Sequence, residues 1–85
     1  MSSRRKVPAK LKRDIGERIR AARMTAGFNT ATDFASALDI EPLTYRRYER
    51  GEVIPDAELL VNISNLTDYT LDWMIAGKGP ARRLV

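Results

Sequence analysis

Apolar residues in this 85-residue chain recur at helical spacing, but only in short runs, and each run is closed by a residue that favours a helix end. No other feature restricts the fold as much. Leu11, Ile15, Ile19, Ala22 and Ala26 define a first stripe, stopped by Gly27, with Pro8 suited to the first helical position. Gly16 lies inside this helix at a cost of about 1 kcal/mol relative to Ala, so it is expected to mark the close approach of a neighbouring helix. A second helix follows the cap Thr30, with Asp33 three residues on and an apolar face of Phe34, Ala35 and Leu38; it ends within residues 38–40. A third runs from near Pro42 to Gly51. The break Ile54-Pro55-Asp56 precedes a fourth, with Leu59, Leu60, Ile63 and Leu66 on one side and a stop at Asp68. Thr70 starts a short fifth helix holding Leu71, Trp73 and Met74, stopped by Gly77. No segment alternates with period two and no internal repeat is present. The expected fold is all-α, a compact bundle of five helices with connections of roughly 3–6 residues.

The length allows one small domain and no second core. Cysteine and histidine are absent, which removes disulfides, thiolate nucleophiles, Cys/His zinc sites and the usual general base near neutral pH. No carboxylate pair stands at a catalytic spacing and no glycine-rich phosphate loop occurs. The chain is therefore expected to be no enzyme, and to use no metal, no cofactor and no small-molecule substrate. No apolar run approaches the ~20 residues of a membrane span, and the basic start lacks the apolar stretch of a secretory signal. A soluble domain, cytoplasmic and held together by packing alone, is the expectation.

Charge divides the chain. Residues 1–51 carry 12 Lys/Arg against 6 Asp/Glu; residues 52–77 carry 5 Asp/Glu and no Lys/Arg; residues 78–85 add Lys78, Arg82 and Arg83. The basic half attracts polyanions and the acidic segment does not. Residues 1–8 read as a basic N-terminal arm, 9–77 as the folded domain, and 78–85, with Lys78-Gly79-Pro80, as a linker-like basic tail. Arg4, Arg5 and Lys6 of the arm are candidates for the phosphate backbone or a groove of nucleic acid.

The second and third helices carry the chemistry. On the third, Tyr45, Tyr48 and Glu49 share one side, and Pro42, Leu43, Arg46, Arg47 and Arg50 share the other. A short turn between two helices lets the second enter a major groove while the first braces against the backbone. Arginine pairs with guanine O6 and N7, and an apolar side chain meets the thymine methyl. The tyrosines are expected in the core.

Four segments then carry a resemblance: Ile15-Gly16-Glu17-Arg18-Ile19-Arg20-Ala21-Ala22-Arg23, Phe34-Ala35-Ser36-Ala37-Leu38, Tyr45-Arg46-Arg47-Tyr48-Glu49-Arg50-Gly51, and Leu71-Asp72-Trp73-Met74-Ile75-Ala76-Gly77. In this order and spacing, residues 15–77 resemble the lambda-repressor-like, Cro/Xre family of helix-turn-helix DNA-binding domains. The resemblance implies a five-helix domain that binds double-stranded operator DNA, generally as a homodimer, and represses transcription in a bacterium or a phage-infected host. Pro42, Leu43, Arg46 and Arg47 match positions that reach base edges. Arg50 and Gly51 match positions that hold phosphate, and Arg23 and Glu49 match a structural ion pair. Ala31 stands where the family often has Gln, leaving phosphate at the start of the second helix to Thr30 or to backbone N–H groups. Asp39 replaces a common turn glycine, and Glu41 replaces a Ser or Thr cap. Trp73 and Met74 are expected either at a dimer contact or closing the core. Two further readings stay open: an antitoxin-type autorepressor binding a toxin through the acidic 52–77 surface, and an interaction module that does not bind DNA.

Overall fold

The computed structural model describes residues 7–83, so Arg4, Arg5 and Lys6 of the expected arm lie outside the described residues. The architecture is all-α and lambda-repressor-like: α1 (Ala9–Thr25), α2 (Ala31–Leu38), α3 (Pro42–Glu49), α4 (Ala57–Thr67) and α5 (Leu71–Ala76). Among the described residues the only β pairing is an isolated bridge between Tyr69 and Arg82.

Side-chain oxygens set three of the helix starts. Thr30 accepts from Asp33 N at 3.0 Å, Asp56 from Leu59 N at 2.8 Å, and Thr70 from Trp73 N at 3.2 Å. Each satisfies one of the N–H groups that a first helical turn leaves open. Pro8 stands at the cap of α1, one position before the first helical residue expected for it. Asp39 and Asp68 close α2 and α4 in the left-handed conformation at φ 59° and 61°. A short carboxylate side chain tolerates this geometry better than most residues. The expectation that Asp39 fills the turn glycine's role therefore has a direct backbone correlate.

The core is continuous from α1 to α5. Ile15, Ile19 and Ala22 meet Phe34, Ala35 and Leu38 of α2, Tyr45 of α3, Leu59, Leu60 and Ile63 of α4, and Met74 of α5. Phe34 lies at its centre, with ring centroids 4.9 Å from Phe28 and 5.3 Å from Tyr45. Two expected core residues are exposed instead, Leu11 and Leu66. Leu11 falls in the first turn of α1, which lies beyond the first buried residue of that helix, Ile15. Leu66 falls at the rim, lining a shallow groove with Ala37, Leu38, Asn62 and Asn65. Both have the right angular position but lie at the edge of the core, partly open to solvent.

The C-terminal segment departs from the linker-like expectation. Thr70 N donates to Ala81 O at 2.8 Å, Thr70 Oγ1 to Pro80 O at 2.8 Å, and Arg83 N to Asp68 O at 2.9 Å. Arg83 also donates to Ser64 Oγ at 2.7 Å, and the Arg82 guanidinium lies 5.6 Å from the centroid of the Tyr69 ring. Residues 80–83 thus run back along the α4–α5 junction. Their composition gives no periodicity, because their bonds are made mostly by backbone atoms.

Candidate nucleic-acid interface

Helix α3 is seated by polar bonds on its inner side. Arg23 Nε donates to Glu49 Oε2 at 2.7 Å and Arg23 Nη1 to Phe28 O at 2.8 Å. The Tyr45 hydroxyl donates to the same Glu49 carboxylate. The Arg23 and Glu49 side chains are 6% and 11% exposed, so the pair is nearly withdrawn from water. Burial opposes the charge on Arg23, but the hydrogen bond and charge of Glu49 outweigh it and raise its pKa. Burial first, and then the bond to Glu49, push the Tyr45 phenol well above its ordinary range. No buried side-chain polar atom among the described residues lacks a partner.

Close backbone approach completes the seat. A Cβ on Gly16 would lie 2.5 Å from Tyr48 O and 2.7 Å from Glu49 O, so α1 meets the end of α3 where only glycine fits. This is the contact the mid-helix glycine predicts.

The outer side of α3 is open. Leu43 is 67% exposed, Pro42 is half-buried at the first helical position, and Arg46, Arg47 and Arg50 project beside them. Arg46 Nη2 donates to Thr32 Oγ1 of α2 at 2.9 Å. Arg47 Nε and Arg50 Nε reach the two carboxylate oxygens of Glu52, at 3.2 and 2.6 Å. The bond from Arg50, and then that from Arg47, holds the Glu52 carboxyl below its ordinary range. Thr30 and Ala31 stand at the start of α2, Thr30 exposed and Ala31 half-buried. Between α2 and α3, Thr32, Ser36, Asp39, Ile40, Glu41 and Pro42 line an open groove of about 480 Å³. Glu41 caps α3 by position, but its side chain makes no capping bond.

Thr32 is absent from the sequence reading, and Glu52, counted there with the acidic 52–77 segment, stands instead beside the arginines of this surface. The signal for Glu52 is its place after a helix-ending glycine. Gly51 adopts φ +74°, and a Cβ there would lie 2.8 Å from Arg13 Cα. The turn brings Glu52 N back to Arg47 O at 3.0 Å, which sets the carboxylate beneath both arginines.

The remaining candidates separate. Met74 is wholly buried in the core. Trp73 is half-buried against Tyr69, with centroids 4.9 Å apart. The carboxylates of Asp56, Glu58, Asp68 and Asp72 belong to exposed residues of the α4–α5 half. Among the described residues no group of three or more Asp and Glu is arranged to hold a metal ion. No described helix is long and apolar enough to cross a membrane.

Two short helices, a turn at Asp39–Glu41 and an outward row of arginines on the second helix define a helix-turn-helix unit, braced by α1 and α4. The sequence model of the helix-turn-helix family matches residues 19–74, and the chain belongs to this Cro/Xre-like family. It is also similar to an uncharacterized HTH-type transcriptional regulator, YqaE, of Bacillus subtilis (strain 168). The two are 39% identical over 49 residues, 58% of this chain and 42% of that relative, so the chain spans less than half of the relative's length. No solved structure matches the chain.

Proposed function

We propose that this chain is a sequence-specific DNA-binding transcriptional regulator, and that it acts as a repressor on a pseudo-palindromic operator in a bacterial or phage-infected cytoplasm. One observation carries the reading: α3 turns Leu43, Arg46, Arg47 and Arg50 outward while its inner side is fixed to α1 by the Arg23–Glu49 pair. A helix seated this way offers arginine forks and one apolar side chain to base edges without losing its place in the bundle. Pro42, Leu43, Arg46 and Arg47 would read bases. Thr30, Ala31, Arg50 and Gly51 would follow the backbone, joined by Arg4, Arg5 and Lys6. Family membership and the similarity to a transcriptional regulator support the reading.

One recognition helix covers only a few base pairs, so two copies are proposed, with their α3 helices about 34 Å apart on successive major grooves. The acidic 52–77 segment, apart from Glu52 beside the arginines, would then face away from the phosphates. Selection of binding sites from random duplex DNA, followed by sizing of the complex, tests both parts. The expected result is a site with two matching half-sites and two chains bound. No enriched sequence would contradict the DNA reading; one chain saturating an asymmetric site would contradict only the dimer.

A further inference from the structure

Among the described residues, Glu52 is the one acidic side chain bonded to the arginines of the outer α3 surface, and its placement is fixed rather than incidental. Its backbone N–H closes the end of α3 on Arg47 O, and the left-handed turn at Gly51 that brings it there tolerates no Cβ. A carboxylate at a helix C-terminus opposes the helix dipole. It also opposes the approach of phosphate. Both effects disfavour an acid here in a protein that merely needs positive charge.

The bonding pattern shows what the acid does. Each arginine gives Glu52 its Nε, and neither gives it a terminal nitrogen. The end-on edge formed by the two Nη groups of each arginine therefore makes no hydrogen bond to the carboxylate. Arginine reads guanine through two parallel N–H donors, so a side chain fixed at Nε arrives with its end-on fork already oriented. Ordering a long side chain on binding costs roughly 2- to 12-fold in affinity, a loss that pre-ordering spares. At the same time one negative charge beneath two positive ones lowers the general attraction for phosphate, the sequence-independent part of binding.

We infer that Glu52 is a positioning residue for Arg47 that raises discrimination between a cognate site and random DNA, by orienting the Arg47 guanidinium for base reading and by weakening the unspecific hold of Arg47 and Arg50 on phosphate. This inference rests on the DNA-binding reading above and adds the residue that tunes its selectivity. Glu52 is itself about half exposed, so substituting it leaves the core untouched.

The test measures affinity for the selected site and for random duplex with wild type, Glu52→Gln, Arg47→Ala and the double variant, at several salt concentrations. Glu52→Gln should bind random duplex about 3- to 10-fold more tightly, with a salt slope steeper by about one, and its selected-to-random ratio should fall about 10-fold. In the Arg47→Ala background the same substitution should change the ratio much less, because the side chain it positions is gone. A role confined to stability would move the melting temperature and leave that coupling at zero. A wild type that discriminates, beside a Glu52→Gln ratio within 2-fold of it, would overturn this inference and leave the DNA reading standing. A wild type that binds no DNA would overturn both.

Discussion

Helices α3 and α4 lie in one small bundle, yet they are held by different forces. Helix α4 buries Leu59, Leu60, Ile63, Ser64 and Thr67 and starts at a side-chain cap on Asp56. Helix α3 buries one residue, Tyr45, and has no side-chain cap. What α3 lacks in apolar burial is supplied by the Arg23–Glu49–Tyr45 network and by the backbone approach at Gly16. The difference follows from what each helix presents. A helix that turns its arginines and Leu43 to solvent cannot also bury them, so its position is fixed by a few specific bonds. Such bonds are costly to break singly, because removing one partner leaves the other buried and unpaired.

The comparison breaks most readily at Arg23. Arg23→Ala leaves the Glu49 carboxylate nearly buried and facing only the Tyr45 hydroxyl, at an expected cost of about 3–5 kcal/mol in urea unfolding. Replacing Arg23 and Glu49 together by apolar residues of similar volume should be milder. An unchanged midpoint for Arg23→Ala would mean that α3 is held by packing like α4.

Tyr45 tests the same network through pH. Its pKa is raised in the folded chain, so its contribution is complete below the unfolded tyrosine value of about 10 and is lost as pH rises toward the folded value. Tyr45→Phe should cost about 1.5–3 kcal/mol at neutral pH, as for a hydrogen bond to a charged group. Above pH ~10 the wild type should lose stability more steeply than Tyr45→Phe, by up to about 1.4 kcal/mol per pH unit, the slope for one proton. Parallel pH profiles would remove Tyr45 from the network.

Gly16→Ala separates helix propensity from the close approach. Propensity alone would stabilise α1 by about 1 kcal/mol. Because the new Cβ would meet backbone oxygens at 2.5 and 2.7 Å, the expected outcome is a net loss of about 1–3 kcal/mol. A net gain would show that α1 and α3 can part without cost. The smallest effect is expected at Arg83, which is about half exposed and bonded at the α4–α5 junction. Arg83→Ala should cost less than about 1 kcal/mol in thermal unfolding and leave DNA affinity unchanged.

Much of this was legible in the chain itself. Thr30, Asp56 and Thr70 cap helices, and Asp68 and Gly77 end them, because these signals act within a few residues of where they stand. The inner and outer sides of α3 follow from angle alone. Residues whose role depends on a turn's direction were not legible. Glu52 reads as one more surface acid until Gly51 folds it under Arg47 and Arg50. The tail reads as a linker because its bonds to Asp68 and Thr70 use backbone atoms. Leu11 and Leu66 fit their stripes, and their exposure depends on where the edge of the core falls.

The outward side of α3 carries the central claim, and Arg47 tests it most directly. The measurement is the affinity of Arg47→Ala for the selected site and for every single-base-pair variant of it, against the wild type. The account predicts a loss of about 1–3 kcal/mol on the best site, with preference relaxed at one base pair and retained elsewhere. An equal loss on all sequences would make Arg47 a phosphate contact, and no loss on any would contradict the reading of α3 as the recognition helix.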